Sequence, residues 1–152
     1  MRKTLNALFV IVAMASAAIA AEKPNFSGQW KINVGASNFG PMPASASYVR
    51  KVNHDGSTIT MEDVDGPAGA SYTWKYVTDG KAKVYKTKGL DVQSVAGWEG
   101  DAIALAAKVA GDFEFAFHGK MALSSDKKSL TYTVHVATEQ GEFDVVYVFD
   151  KQ

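Results

Sequence analysis

Cysteine is absent from this chain, which excludes disulfides and thiol chemistry. Small exported domains often lean on disulfides, so stability here must come from a buried core. Beyond residue 20 no apolar stretch approaches the roughly 20 residues a membrane helix needs, so no membrane insertion of the mature chain is expected. Charge of one sign is also missing. Setting aside Arg2 and Lys3 leaves 14 basic residues against 16 acidic ones, with no basic stripe, which argues against a nucleic-acid partner. There is no nucleophile elbow, phosphate loop, dinucleotide fingerprint or His-Glu-x-x-His helix, so no enzyme is indicated and no cofactor is implied.

What is present starts with a targeting signal. Arg2 and Lys3 precede the apolar, Ala-rich run Leu5 to Ile19, and Ala18-Ile19-Ala20 has the small-x-small form read by a signal peptidase. Residues 1–20 therefore read as a signal peptide cleaved after Ala20, and 21–152 as one exported domain, periplasmic or secreted.

That domain alternates apolar and polar residues with the two-residue period of half-buried strands. Ten strands are expected: Ser27–Asn33, Ser47–His54, Ser57–Asp63, Ala70–Thr78, Lys81–Thr87, Leu90–Trp98, Asp101–Val109, Phe113–Leu123, Leu130–Thr138 and Glu142–Asp150. Asp55-Gly56, Asp79-Gly80, Glu99-Gly100 and Gln140-Gly141 are among the turns between them. No helical period lasts more than a turn or two. Short connections imply a meander, and a meander loses its exposed edges by closing, so the fold expected is all-β: a single up-and-down antiparallel barrel of eight to ten strands. A sandwich is the alternative, but it needs longer crossovers.

Two hairpin registers can be written. Pairing Leu123 with Leu130 sets Phe117 against Val136 and His118 against His135. A Gln140-Gly141 turn sets Glu139 against Glu142, Val136 against Val145 and Val134 against Tyr147. The long connection from Val34 to Ala46 has Pro41 and Pro43 and forms either a lid over one mouth or a surface connection packed by Phe39 and Met42.

One parity gathers the large side chains: Tyr72, Trp74 and Tyr76; Phe113, Phe115 and Phe117; Tyr132, Val134 and Val136; Phe143, Val145, Tyr147 and Phe149. A barrel of this size either encloses one small ligand or is filled by its own side chains. Arg50 shares parity with Tyr48, Val52 and His54. Facing inward it would bind a carboxylate head; otherwise its strand is offset by one, or it pairs with an acid at the rim. The candidate ligand-binding set is Arg50, Tyr72, Trp74, Tyr76, Phe115, Phe117, Tyr132 and Tyr147. His118 and His135, neighbours on the outer face, supply only two imidazoles, too few for a convincing metal site.

Four motifs carry a resemblance: Phe26–Asn33 (F-S-G-x-W-K-x-N), Ser37–Pro43 (S-x-F-G-P-x-P), Trp98-Glu99-Gly100-Asp101, and Gly141-Glu142-Phe143 with Lys151-Gln152. Together they resemble uncharacterised, lipocalin-like (calycin-type) secreted bacterial proteins over the whole mature chain. The resemblance implies a barrel whose Gly-x-Trp tryptophan closes one end, and small-molecule binding. The leading function is thus an exported barrel holding a small hydrophobic or amphipathic ligand in its interior. The alternative is a non-enzymatic structural or interaction module with a side-chain-filled barrel, presenting outward Ala102, Ala104 and Ala106 or Val146 and Val148 to a partner.

Overall fold

The computed structural model describes residues 22–152; the expected signal peptide, 1–20, lies outside the described residues. The chain forms ten antiparallel strands: β1 Gly28–Ile32, β2 Val49–Asp55, β3 Thr58–Val64, β4 Tyr72–Val77, β5 Lys83–Thr87, β6 Leu90–Glu99, β7 Ala102–Ala110, β8 Phe115–Leu123, β9 Ser129–Thr138 and β10 Gly141–Lys151. They make one sheet in the order β4-β3-β2-β1-β10-β9-β8-β7-β6-β5. Sequence neighbours pair except at β4 and β5, and β1 joins β10, so the meander curls into a nearly closed barrel. Single turns of 3-10 helix at Val34–Ala36 and Pro67–Gly69 are the only helical pieces among the described residues. None is long and apolar enough to cross a membrane.

The seam lies between β4 and β5, which share no ladder. Side chains stitch it instead. Tyr85 Oη accepts from the Lys75 N–H (2.9 Å), Thr87 Oγ1 from the Thr73 N–H (3.3 Å), and Ser94 Oγ donates to the Lys75 carbonyl (2.7 Å). These hydroxyls satisfy edge groups that would otherwise invite another strand.

Alternation sorts inside from outside. On β7, Ile103, Leu105, Ala107 and Val109 are buried, while Ala102, Ala104 and Ala106 are half-buried on the outer wall. Leu123↔Leu130, Phe117↔Val136 and His118↔His135 pair as the alternation requires. The last hairpin differs from expectation: Val136 faces Phe143, Val134 faces Val145, and Tyr147 faces Tyr132. The turn is Glu139-Gln140 because Thr138 closes it, its Oγ1 accepting from Gln140 N–H (3.2 Å) and donating to the Gly141 carbonyl (3.0 Å). The slip is two residues, so every side chain keeps its face. At mid-barrel β8 and β9 approach closely at Gly119, where a Cβ would lie 2.1 Å from the Thr133 carbonyl oxygen.

The connection after β1 is neither a free flap nor a plain loop. It runs on along β10: Asn38 and Val146 exchange backbone bonds (2.7 and 2.8 Å), and Ser37 Oγ accepts from the Val148 N–H (2.8 Å). This contact half-covers Val146 and Val148, two outer apolar positions. Gly40 then turns the chain at φ +58°, where a Cβ would meet the Asp144 carbonyl at 2.8 Å. Phe39 is buried with its ring 5.4 Å from Tyr147, and half-buried Met42 reaches the barrel mouth.

Candidate functional site

The barrel is solid at one end. Phe26 and Trp30 are buried there, and the Trp30 indole N–H donates to the Phe26 carbonyl (3.1 Å). His54 is locked between the Phe26 N–H, which donates to Nδ1 (3.2 Å), and the Gly56 carbonyl, which accepts from Nε2 (3.1 Å). That pair of bonds selects the neutral ring protonated at Nε2. Trp98 packs against both Phe26 and His54, and Ile103 and Met121 complete the plug.

The other end is hollow. A cavity of about 600 Å³ opens there, between Met42, Pro67, Phe113, Glu114 and the Glu139-Gln140 turn. Its volume falls within the ~300–1,000 Å³ usual for small-molecule pockets. Arg50, Tyr72, Trp74, Tyr76, Phe115, Phe117, Tyr132 and Tyr147 all line it. The structure thus brings together the whole set singled out from the sequence. Its walls are aromatic: Trp74 meets Phe117 edge-on at 5.3 Å, and Phe113, Phe115 and Phe117 form a ladder with spacings of 5.7 and 6.1 Å. Phe113 is not a strand residue as expected; it precedes β8 and stands half exposed at the rim. Glu114 also reaches the mouth.

Arg50 does point inward, and it meets a partner that sequence reasoning passed over. β2 and β3 pair Arg50 directly with Asp63. Nε donates to Asp63 Oδ1 (2.7 Å), Nη2 to Oδ2 (2.9 Å), and Nη2 also to Tyr48 Oη (3.0 Å). Asp63 Oδ2 further accepts the Trp74 indole N–H (3.0 Å). The guanidinium packs on Tyr132 and Phe149, 4.6 and 5.3 Å from the ring centres. Arg50 and Asp63 are both buried, so this is an interior ion pair, not the rim pair considered above. Burial works against the guanidinium's charge, but Asp63 outweighs it and holds Arg50 more firmly protonated than usual. Burial keeps the phenols neutral: Tyr48, Tyr76 and Tyr132 are raised well above their ordinary range, and Tyr147 is pushed up to about 12. The signal for Asp63 was available, since it shares parity with Ile59 and Met61. Tyr48 was readable in the same way, from its parity with Arg50.

A second hollow of about 620 Å³ lies on the outer wall, across Gly97, Ala104, Ala106 and His118. It is an open depression made by small side chains, without the inward convergence of the barrel cavity. The His118 and His135 rings lie 5.2 Å apart beside it, but both His135 nitrogens are engaged by carboxylates, Nδ1 by Asp144 (2.7 Å) and Nε2 by Glu142 (3.3 Å). Among the described residues no group of three or more His, Asp or Glu is arranged to hold a metal.

No protein-family model matches the chain, and no curated protein matches it in sequence. Solved structures do match in shape. The zebrafish ileal bile acid-binding protein complexed with cholic acid superposes with a TM-score of 0.55 at 16% identity, over 84% of this chain and 98% of that one. The apo lipid binding protein 8 of Caenorhabditis elegans superposes with a TM-score of 0.59 at 11% identity, over 84% and 95%. The chain shares the antiparallel barrel fold of these two structures.

Proposed function

We propose that this chain is an exported binding protein that holds a small hydrophobic or amphipathic molecule inside its barrel. The observation that carries the reading is the half-hollow interior: a cavity of about 600 Å³ with a mouth at one end and a continuous aromatic lining. An apolar interior left unpacked forgoes the contacts that a filled core would make, so an interior left open in this way is best understood as a site. The shape-matched structures support the reading, one described as bile acid-binding and the other as lipid binding. Export, to the periplasm or the medium, rests on the Arg2 to Ala20 segment. The alternative, a barrel filled by its own side chains, fits the plugged half but not the hollow one.

Fluorescence titration of the mature protein with fatty acids, retinoid-like dyes and uncharged aromatic probes tests the reading. Trp74 lies in the wall and reports occupancy. Saturable one-to-one binding of at least one probe class is expected. Failure of every class to saturate would leave the cavity without a role.

A further inference from the structure

The interior ion pair says what sort of molecule the cavity takes. We infer that, granted its role as a ligand site, its ligand is uncharged and carries a hydrogen-bond acceptor, and that carboxylates are turned away.

The argument begins with charge. Arg50 is the only lysine or arginine among the described residues lining the cavity. Its charge is already matched, since Asp63 takes two of its N–H groups in the side-on, bidentate geometry that a ligand carboxylate would otherwise use. A second carboxylate would have to share one guanidinium with Asp63 in a buried site, where an uncompensated ion is costly. The other acids along the wall act in the same direction. Glu114 and Glu139 stand at the mouth, and neither forms an ion pair among the described residues. The entrance is thus acidic, and an anion meets repulsion before it meets the aromatic walls.

The need for an acceptor comes from two buried polar atoms without a hydrogen-bond partner, Arg50 Nη1 and the Tyr76 hydroxyl. Both residues line the cavity, and the two atoms themselves sit just behind its wall, shielded from solvent. A buried donor without a partner is rare and costly. An ester, ketone or ether oxygen that reaches them through a small shift of the wall side chains answers a hydroxyl and a guanidinium N–H alike, and it brings no charge to disturb the Arg50–Asp63 pair. The aromatic ladder of Phe113, Phe115 and Phe117 then holds the apolar body along the wall.

The test compares three ligands of one chain length: decanoate, methyl decanoate and decane. They are titrated calorimetrically into the wild-type protein above neutral pH, where the acid is ionised. The ester is expected to bind about ten-fold or more tightly than either of the others, the gain of one well-made hydrogen bond to a charged donor. Decanoate binding as tightly as the ester would overturn the inference while leaving interior binding intact. Decane matching the ester would overturn it too, because the acceptor would then be idle. No saturable binding by any of the three would overturn both the inference and the reading it rests on. Asp63→Asn supplies a second arm. Freeing the guanidinium is expected to reverse the order and make decanoate the tighter ligand; an unchanged order in a folded Asp63→Asn protein contradicts the inference. Should that variant fail to fold, the three wild-type titrations decide the matter alone.

Discussion

The two ends of this barrel are built from the same alternating strands and come out opposite. At one end Phe26, Trp30, His54, Trp98 and Met121 fill the lumen, and the polar atoms of His54 and Trp30 are satisfied by backbone. At the other end Tyr72, Trp74, Phe115 and Phe117 stand around open space, and two polar atoms near them are left without partners. The difference lies in what the chain adds to the strands. The segment before β1 turns in and supplies Phe26 as a stopper. The connection after β1 is drawn out along β10 and gives the mouth little beyond Phe39 and Met42. Pleat parity makes the lumen greasy; the segments outside the strands decide whether it is full.

Substitutions should separate the two halves, and the largest effects come from the buried pair and the plug. Arg50→Leu alone strands a buried Asp63 and should cost about 3–5 kcal/mol in urea unfolding. Replacing both, Arg50→Met with Asp63→Leu, should restore most of that stability. A double variant no more stable than the single one would mean that the pair does more than neutralise itself. In the plug, Trp30→Ala should also cost about 3–5 kcal/mol, while the folded protein still binds its ligand. Phe115→Ala at the half-buried rim should cost only about 1 kcal/mol and weaken binding instead. If both truncations cut stability equally and leave binding untouched, the division into plug and pocket is wrong.

Alkaline pH sharpens the contrast at smaller amplitude. Burial raises Tyr48, Tyr76, Tyr132 and Tyr147, all in the hollow half, above their unfolded values. A group whose folded pKa is raised stabilises below its unfolded pKa and loses that contribution as pH climbs through the folded value. Stability should therefore fall from about pH 10 upward, and for Tyr147 the window closes near 12. For these four phenols ionisation should appear together with unfolding; any of them forming tyrosinate in the folded protein at pH 10 would contradict its burial. The smallest effect belongs to the outer wall. His135 titrates above its ordinary value chiefly because it hydrogen-bonds Asp144; desolvation opposes this, and Glu142 adds to the rise. In an NMR titration Asp144→Asn should lower it, and the stability it lends should be present below the unfolded histidine value and fade as pH rises through the folded one.

Much of this was legible from residue order. All ten strands follow from alternation, as do the inward faces of β4, β8, β9 and β10, and the β8–β9 register follows from Leu123 and Leu130. The β9–β10 register was misread by two because the turn was assigned to Gln140-Gly141, where glycine is the obvious choice; Thr138 closes it one residue earlier through its hydroxyl, which alternation does not encode. The seam between β4 and β5 was hidden for a similar reason, being made of Tyr85, Thr87 and Ser94 side chains and not of a ladder. The inward orientation of Arg50 was one of the readings left open by parity, and its partner is set by β2–β3 register, which puts Asp63 directly opposite. Cavity volume is a property of how the ends are closed, and no local pattern carries it.

Methionine methyl groups offer the most direct test of a pocket in one half only. Met42 stands at the mouth, Met61 lines the cavity, and Met121 is buried in the plug; the remaining two methionines, Met1 and Met14, lie outside the described residues. In methyl-labelled protein, titrating methyl decanoate should move the Met61 and Met42 signals to saturation and leave Met121 in place. Equal movement of all three, movement of Met121 alone, or no movement at all would contradict a barrel that is solid at one end and a binding site at the other.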